Sequence, residues 1–320
     1  MEAVELHSAF SPYIESFLGQ KRANGYTYGT EELILREFDG FVSKRFPEEV
    51  VLTREIYLSW SEQKDTEGIN YRARRASVVR QLAAHMEALG VASHQPHDRF
   101  STEAPVVHIM SPEEMAGFFA EVDKGRGYAP ALMYDVEYQV LFRLLYCCGM
   151  RLSEACGLPW GDVDLGSATL TIRQSKSHKD RIVYMAGDVA RLMEVYHERI
   201  REFVESEWVF PGGAAGSHIL KTSVCRAFRQ IWNRTDFSRS CSKRPTAHCL
   251  RHGFVVDRMN EWMLDGANLG TKTPYLSMYL GHQSMDETFY YYHQANKAYQ
   301  VIRKCDASSG LVIPEVSAHG

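Results

Sequence analysis

The side chains best suited to chemistry lie in four short stretches. Arg151 stands in CCGMRLSEACG, where an apolar helix ends at Gly149 and a second helix begins close behind it. The donor-rich start of a helix suits an anion, although a local Arg151–Glu154 pair accounts for the same two residues. Lys176 and Lys179 fall on the polar turn between the alternating runs ATLTIR and RIVYM, which read as a hairpin. A lysine there can reach into a groove or remain solvated. In TAHCLRHGF, His248 and Arg251 are three residues apart and share a helix face. A histidine that holds or passes a proton, beside an arginine that neutralises oxygens, fits phosphoryl chemistry. In YLGHQSMDETFYYYH, Gly281 caps one helix, and Ser284 with Glu287 forms a capping box for the next. Three tyrosines follow on that helix. They point about 100° apart, so one at most faces a given site.

These stretches need elements to hold them. The first 90 residues of the 320 read as four helices: one with Phe10, Tyr13, Ile14, Phe17 and Leu18, one with Leu33, Ile34, Phe38, Phe41 and Val42, one with Ile56, Leu58 and Trp60, and one running from about Asn70 to Leu89-Gly90. Short connections predict a small all-α bundle. The fourth helix carries Arg72, Arg74, Arg75 and Arg80, which either grip backbone phosphates or form a solvated face. Residues 91–107 lose all periodicity and hold two prolines, the pattern of an interdomain linker. Ser111-Pro112-Glu113-Glu114 then opens a new helix, with serine as N-cap and proline at the first position.

Composition bounds the function. Hydrophobic residues make up 45% and charged residues 24%, enough for a sizeable core. No apolar run reaches membrane-spanning length, and the N-terminus lacks a signal pattern, so a cytoplasmic protein is expected. The seven cysteines contain no CxxC, which favours neither a disulfide scaffold nor a zinc site. Net charge is −4, yet residues 151–258 carry 17 Lys and Arg against 12 Asp and Glu, while residues 1–107 carry 12 against 16. A basic middle in an acidic chain fits a local phosphate-binding surface as well as chance clustering on a solvated face.

Each stretch is weak alone. Their order and spacing — Arg, hairpin Lys, HxxR, LGH, then Tyr nine residues after that His — resemble the tyrosine recombinase (phage integrase) family. The motifs run from residue 144 to residue 293, and the four helices before the linker resemble the family's core-binding domain. The resemblance implies a mainly α fold with a small β-sheet (α+β). It divides the chain into a helical DNA-binding domain at 1–92, a linker at 93–107, a catalytic domain at 108–305 and a tail at 306–320. Carried over by position, Arg151 and Arg251 clamp the scissile phosphate, Lys176 in SKSHKDR is the hairpin lysine (Lys179 the runner-up), and His248 and His282 are the two histidines. Tyr291 takes the nucleophile position, two before His293, with Tyr290 and Tyr292 as neighbours in the same triplet. The thirty residues between Arg251 and His282, and Tyr184-Met185 after the return strand, depart from the family pattern.

The implied activity is site-specific DNA recombination or integration through a 3′-phosphotyrosine, without metal, cofactor or ATP. The expected partners are double-stranded DNA carrying specific sites and three further copies of the chain in a tetramer. Two alternatives share the fold: a type IB topoisomerase-like enzyme, and a DNA-binding regulator without catalysis. The intact set of polar positions plus tyrosine speaks against the latter.

Overall fold

In the computed structural model the described residues are 6–103, 107–125, 132–173, 180–282 and 284–293, with backbone alone at 132–133 and 291–293. The chain divides into two compact units, Met1–Pro105 and Val106–Gly320. None of the described helices is long and apolar enough to cross a membrane.

The first unit holds α1 (Ser11–Ala23), α2 (Gly29–Arg45), α3 (Arg54–Ser61) and α4 (Ile69–Ala88). Local chemistry sets their ends. Thr53 caps α3 by accepting from Ile56 N at 3.2 Å. Asp39 of α2, 2% exposed, accepts from His7 N, Ser8 N and Ser11 Oγ and so fastens the start of α1. Phe10, Phe17, Phe38, Ile56, Trp60, Val79 and Leu82 form the core of this unit. Truncating a buried aromatic such as Trp60 to alanine costs ~3–5 kcal/mol. Residues 93–103 lie along the same unit: His94 N donates to Leu52 O, Arg80 donates to Asp98 O, and Asn70 exchanges two hydrogen bonds with Glu103.

The second unit begins with α5 (Pro112–Lys124), opened by a capping box in which Ser111 and Glu114 satisfy each other's backbone N–H. Then come α6 (Leu132–Cys147), α7 (Leu152–Cys156), a sheet of β1 (Val163–Asp164), β2 (Thr169–Ile172) and β3 (Arg181–Tyr184), α8 (Gly187–Ile200), α9 (Lys221–Trp232), α10 (His248–Leu264), α11 (Leu269–Leu280) and α12 (Met285–His293). The sheet is antiparallel in the order β1-β2-β3, with Leu170 opposite Val183. The alternation of ATLTIR places Leu170 and Ile172 in the core. Phe118, Phe142 and Phe228 pack α5, α6 and α9 together, with ring centroids 4.6–5.9 Å apart. A smaller cluster of Phe254, Met259, Leu276 and Leu280, with Phe289 against it, joins α10, α11 and α12. Gly149 turns the chain between α6 and α7 with φ 62, and a Cβ there would lie 2.5 Å from Phe254 Cδ1. Glycine is therefore required on both counts.

Candidate active site

The site is built on the C-terminal end of α11. Gly281 ends that helix at φ 66, and its N–H and that of His282 donate back to Met278 O and Ser277 O, both at 3.0 Å. This is a Schellman closure, and it leaves the carbonyls of Tyr279, Leu280 and Gly281 without partners inside the helix. Three arginines from three other elements take them. Arg181 Nε donates to Tyr279 O at 2.8 Å, Arg251 Nη2 to Leu280 O at 2.8 Å, and Arg151 Nη2 to Gly281 O. The negative end of the helix dipole thus gathers three cations. A Cβ on Gly281 would come within 3.2 Å of Arg151 Nη1 and 3.3 Å of Arg181 Nη1, so the close approach needs glycine there.

Glu154 supplies the counter-charge. It accepts both Nη groups of Arg181 at 2.9 and 2.7 Å, Arg151 Nη1 at 2.9 Å, and the Arg151 backbone N–H at 2.8 Å. Burial opposes its ionised form, but the hydrogen bonds and charge of Arg181, then those of Arg151, outweigh it and hold the carboxyl down to about 2. The local Arg151–Glu154 pair and the shared site are therefore both present. Arg181 was not singled out as a site residue by its sequence position. Its one signal is that it closes the SKSHKDR pattern at the head of a strand.

Arg251, 1% exposed, also donates to Gly149 O at 2.6 Å, and its Nη2 lies 3.0 Å from His282 Nε2. A guanidinium has no acceptor, so Nε2 of His282 accepts and Nδ1 carries the proton, donated to Thr288 Oγ1 at 2.8 Å. Thr288 is fully buried on α12, so this bond ties α12 to the arginine cluster. Desolvation, then the charges of Arg251, Arg151 and Arg181, push His282 down to about 3. His248 opens α10, with its ring 4.4 Å from that of His252 in an edge-to-face contact. Desolvation, then the charges of Arg251 and Arg151, hold His248 down to about 4, although the residue is exposed. Both histidines are uncharged at neutral pH, and His248 is the one able to receive a proton, since Arg251 already occupies the lone pair of His282. Arg151 is the most open of the three arginines, with a side chain 16% exposed against 9% for Arg181. Beside it lies a cleft of about 350 Å³, lined by Ser153, Asp162, Thr171 and Arg173 among others.

Four sequence-predicted residues, Arg151, His248, Arg251 and His282, thus come together. Lys176 and Lys179 lie outside the described residues. Tyr291 lies in α12, one turn beyond Thr288, and its side chain is outside the described residues. In the first unit the arginines of α4 separate. Arg74 is exposed and pairs with Glu31 at 2.7 Å. Arg80 is half-buried, and so is Arg72, which lies over the Phe100 ring. Arg75 corrects the expectation of a phosphate contact. It is fully buried, paired with Glu67 at 2.5 Å and stacked over Trp60, so its guanidinium is a strut of this unit's core.

The profile of the phage integrase family matches residues 110–298. A Sinorhizobium fredii protein described as an integrase/recombinase is 25% identical over 295 residues, covering 89% of this chain and 92% of its own. Tyrosine recombinase XerD of Rhizobium meliloti is 26% identical over 227 residues, 69% of each chain. Among solved structures, the XerH site-specific recombinase bound to palindromic difH substrate shares the fold with a TM-score of 0.63 at 18% identity, over 88% of this chain and 78% of that one. A lambda integrase dimer bound to a COC′ core site does so with a TM-score of 0.62 at 13% identity, over 89% and 96%.

Proposed function

This chain belongs to the phage integrase family, and we propose from that premise that it is a site-specific tyrosine recombinase that cuts and rejoins DNA through a 3′-phosphotyrosine. The observation that carries the reading is the single cluster in which Arg151, Arg181, Glu154, Arg251 and His282 meet around the end of α11. Attack on a phosphodiester builds charge on its non-bridging oxygens. Arginines already fixed by carbonyls and a carboxylate meet that charge with little reorganisation.

In this reading Arg151 and Arg251 clamp the scissile phosphate, and His282, which accepts from Arg251 and donates to Thr288, holds Arg251 and α12 in place. The phenol of Tyr291 attacks phosphorus, and its proton passes to neutral His248. The 5′-oxygen leaves with a proton from Lys176. A 5′-hydroxyl of a second strand then attacks the phosphotyrosine and restores the phenol, so the bond energy is retained and no ATP is consumed. Positions 291 and 292 both share a helix face with 288, which sets Tyr290 aside, and the spacing of nine residues from His282 supports Tyr291 over Tyr292.

The first unit holds the duplex from its α4 side, with Arg74, Arg72 and Arg80 meeting phosphates. Four copies assemble on two duplexes, since exchange needs four cleavages. A solved lambda integrase tetramer bound to a Holliday junction supports this assembly. The work takes place in the cytoplasm, with DNA as the partner. Incubation with two differently labelled duplexes carrying the element's end sequences tests the proposal. Strand exchange between them supports a recombinase. Relaxation of supercoiled plasmid without exchange supports the topoisomerase reading.

A further inference from the structure

Away from the arginine cluster, three side chains of the second unit line up as thiol, imidazole and carboxylate. Cys241 Sγ lies 3.7 Å from His108 Nδ1, and His108 Nε2 lies 2.9 Å from Glu114 Oε2. Glu114 is fixed in turn, since the same Oε2 accepts the Ser111 N–H at 2.8 Å in the capping box of α5. A carboxylate can only accept, so Nε2 of His108 carries the proton and Nδ1 turns its lone pair toward the sulfur. The Trp232 ring meets the imidazole edge-on, with centroids 6.2 Å apart. The side chains of His108 and Glu114 are 22% and 14% exposed, and Cys241 is half-buried, so a small molecule can reach the sulfur. The thiol proton has a second acceptor in Lys243 O, 2.8 Å from Sγ. A nucleophile, a base within reach of it and a third group orienting the base are the parts of an activated thiol.

We propose that Cys241 is a modification site, a thiol activated by His108 and Glu114 that exchanges with small disulfides. His108 Nδ1 takes the thiol proton, and Sγ attacks one sulfur of the disulfide. The S–S bond breaks as the Sγ–S bond forms, and the departing thiolate takes the proton back from His108. The mixed disulfide sits in the segment 241–247 that leads directly into α10. One ion bound by all three residues is disfavoured, because His108 addresses sulfur and carboxylate through opposite nitrogens. Among the described residues these three are a group whose donor atoms lie within 4.8 Å of one another, so a metal is the competing occupant.

The test uses the full chain with glutathione disulfide and, separately, iodoacetamide, followed by peptide mass spectrometry. Cys147 and Cys225, both exposed, serve as internal references. Cys241 is expected to react about tenfold faster than either at neutral pH, and His108→Gln to bring it into their range. Should that variant fail to fold, the order of labelling in the unaltered protein decides: Cys241 carries the glutathione adduct before either reference does. A rate no greater than the references, or one indifferent to His108→Gln in a folded protein, overturns the proposal. Protection of Cys241 by equimolar Zn²⁺, lost in His108→Gln and reversed by a chelator, overturns it in favour of a metal site.

Discussion

Arg151 and Arg251 hang from adjacent carbonyls, those of Gly281 and Leu280, at the closed end of one helix. Two arginines a hundred residues apart in sequence are thereby set side by side on one helix end. Arg181 occupies the next carbonyl, that of Tyr279, and Glu154 binds it to Arg151. The rim explains why LGH matters as a unit: Leu280 and Gly281 offer carbonyls, Gly281 allows the approach, and His282 both closes the helix and accepts from Arg251.

Arg181→Lys is expected to slow DNA cleavage about 10²-fold while leaving single-site DNA binding near normal. Lysine cannot make the forked bond to Glu154 or the Nε bond to Tyr279 O, and misplacement of about 1 Å at a reacting group is enough for such a loss. Single-turnover cleavage and a binding titration on the same duplex check this. Cleavage at the unaltered rate would remove Arg181 from the machinery.

Glu137 of α6 is fully buried, and neither of its oxygens has a hydrogen-bond partner among the described residues. Burial pushes its carboxyl up to about 8. Between the ordinary carboxylate range and about 8 the folded chain holds a proton that the unfolded chain has released. Stability therefore falls as pH rises through that window, by at most about 1.4 kcal/mol per unit. Glu137→Gln should remove this slope. Denaturant titrations of both proteins at pH 5, 6.5 and 8 read it as a difference, in which the histidine contributions common to both cancel. A Glu137→Gln difference that does not change with pH would show that the carboxyl is ionised in the folded state.

The α4 arginines should separate in function as they do in burial. Arg75→Ala removes the ion-pair partner of Glu67, which keeps only the Lys64 N–H, and is expected to destabilise the first unit by ~3–5 kcal/mol, with a lowered melting temperature. Arg74→Ala should leave the melting temperature unchanged and reduce the salt slope of DNA binding by about one phosphate contact. An unchanged slope in Arg74→Ala would take that residue off the DNA surface.

Much of this arrangement is legible from local pattern. Helix periodicity and caps place α1 to α4 and α5, alternation places β2 and β3, and the spacing of HxxR and LGH marks the residues that converge. Arg181 escaped notice because its partners, Glu154 and Tyr279, lie 27 and 98 residues away, and no local rule reaches that far. The carbonyl rim is invisible for the same reason, since it depends on which backbone groups a Schellman closure leaves over. Arg75 looks like its neighbours in a charged run. Only the packing of Trp60 and Glu67 around it distinguishes a strut from a surface cation. The two-residue β1 carries too few residues for any alternation to be read.

In the proposed reaction Tyr291 forms a covalent bond to DNA at the site built on the end of α11. The most direct measurement uses a duplex nicked just 3′ of the scissile phosphate, so that the freed strand diffuses away and the adduct accumulates. Proteolysis and mass spectrometry then locate the phosphodeoxynucleotide on the protein. A phosphotyrosyl peptide modified at Tyr291, absent from Tyr291→Phe although that variant still binds the duplex, is the predicted result. Attachment at Tyr290 or Tyr292, or no covalent adduct from a protein that binds its site, would rule out Tyr291 as the nucleophile.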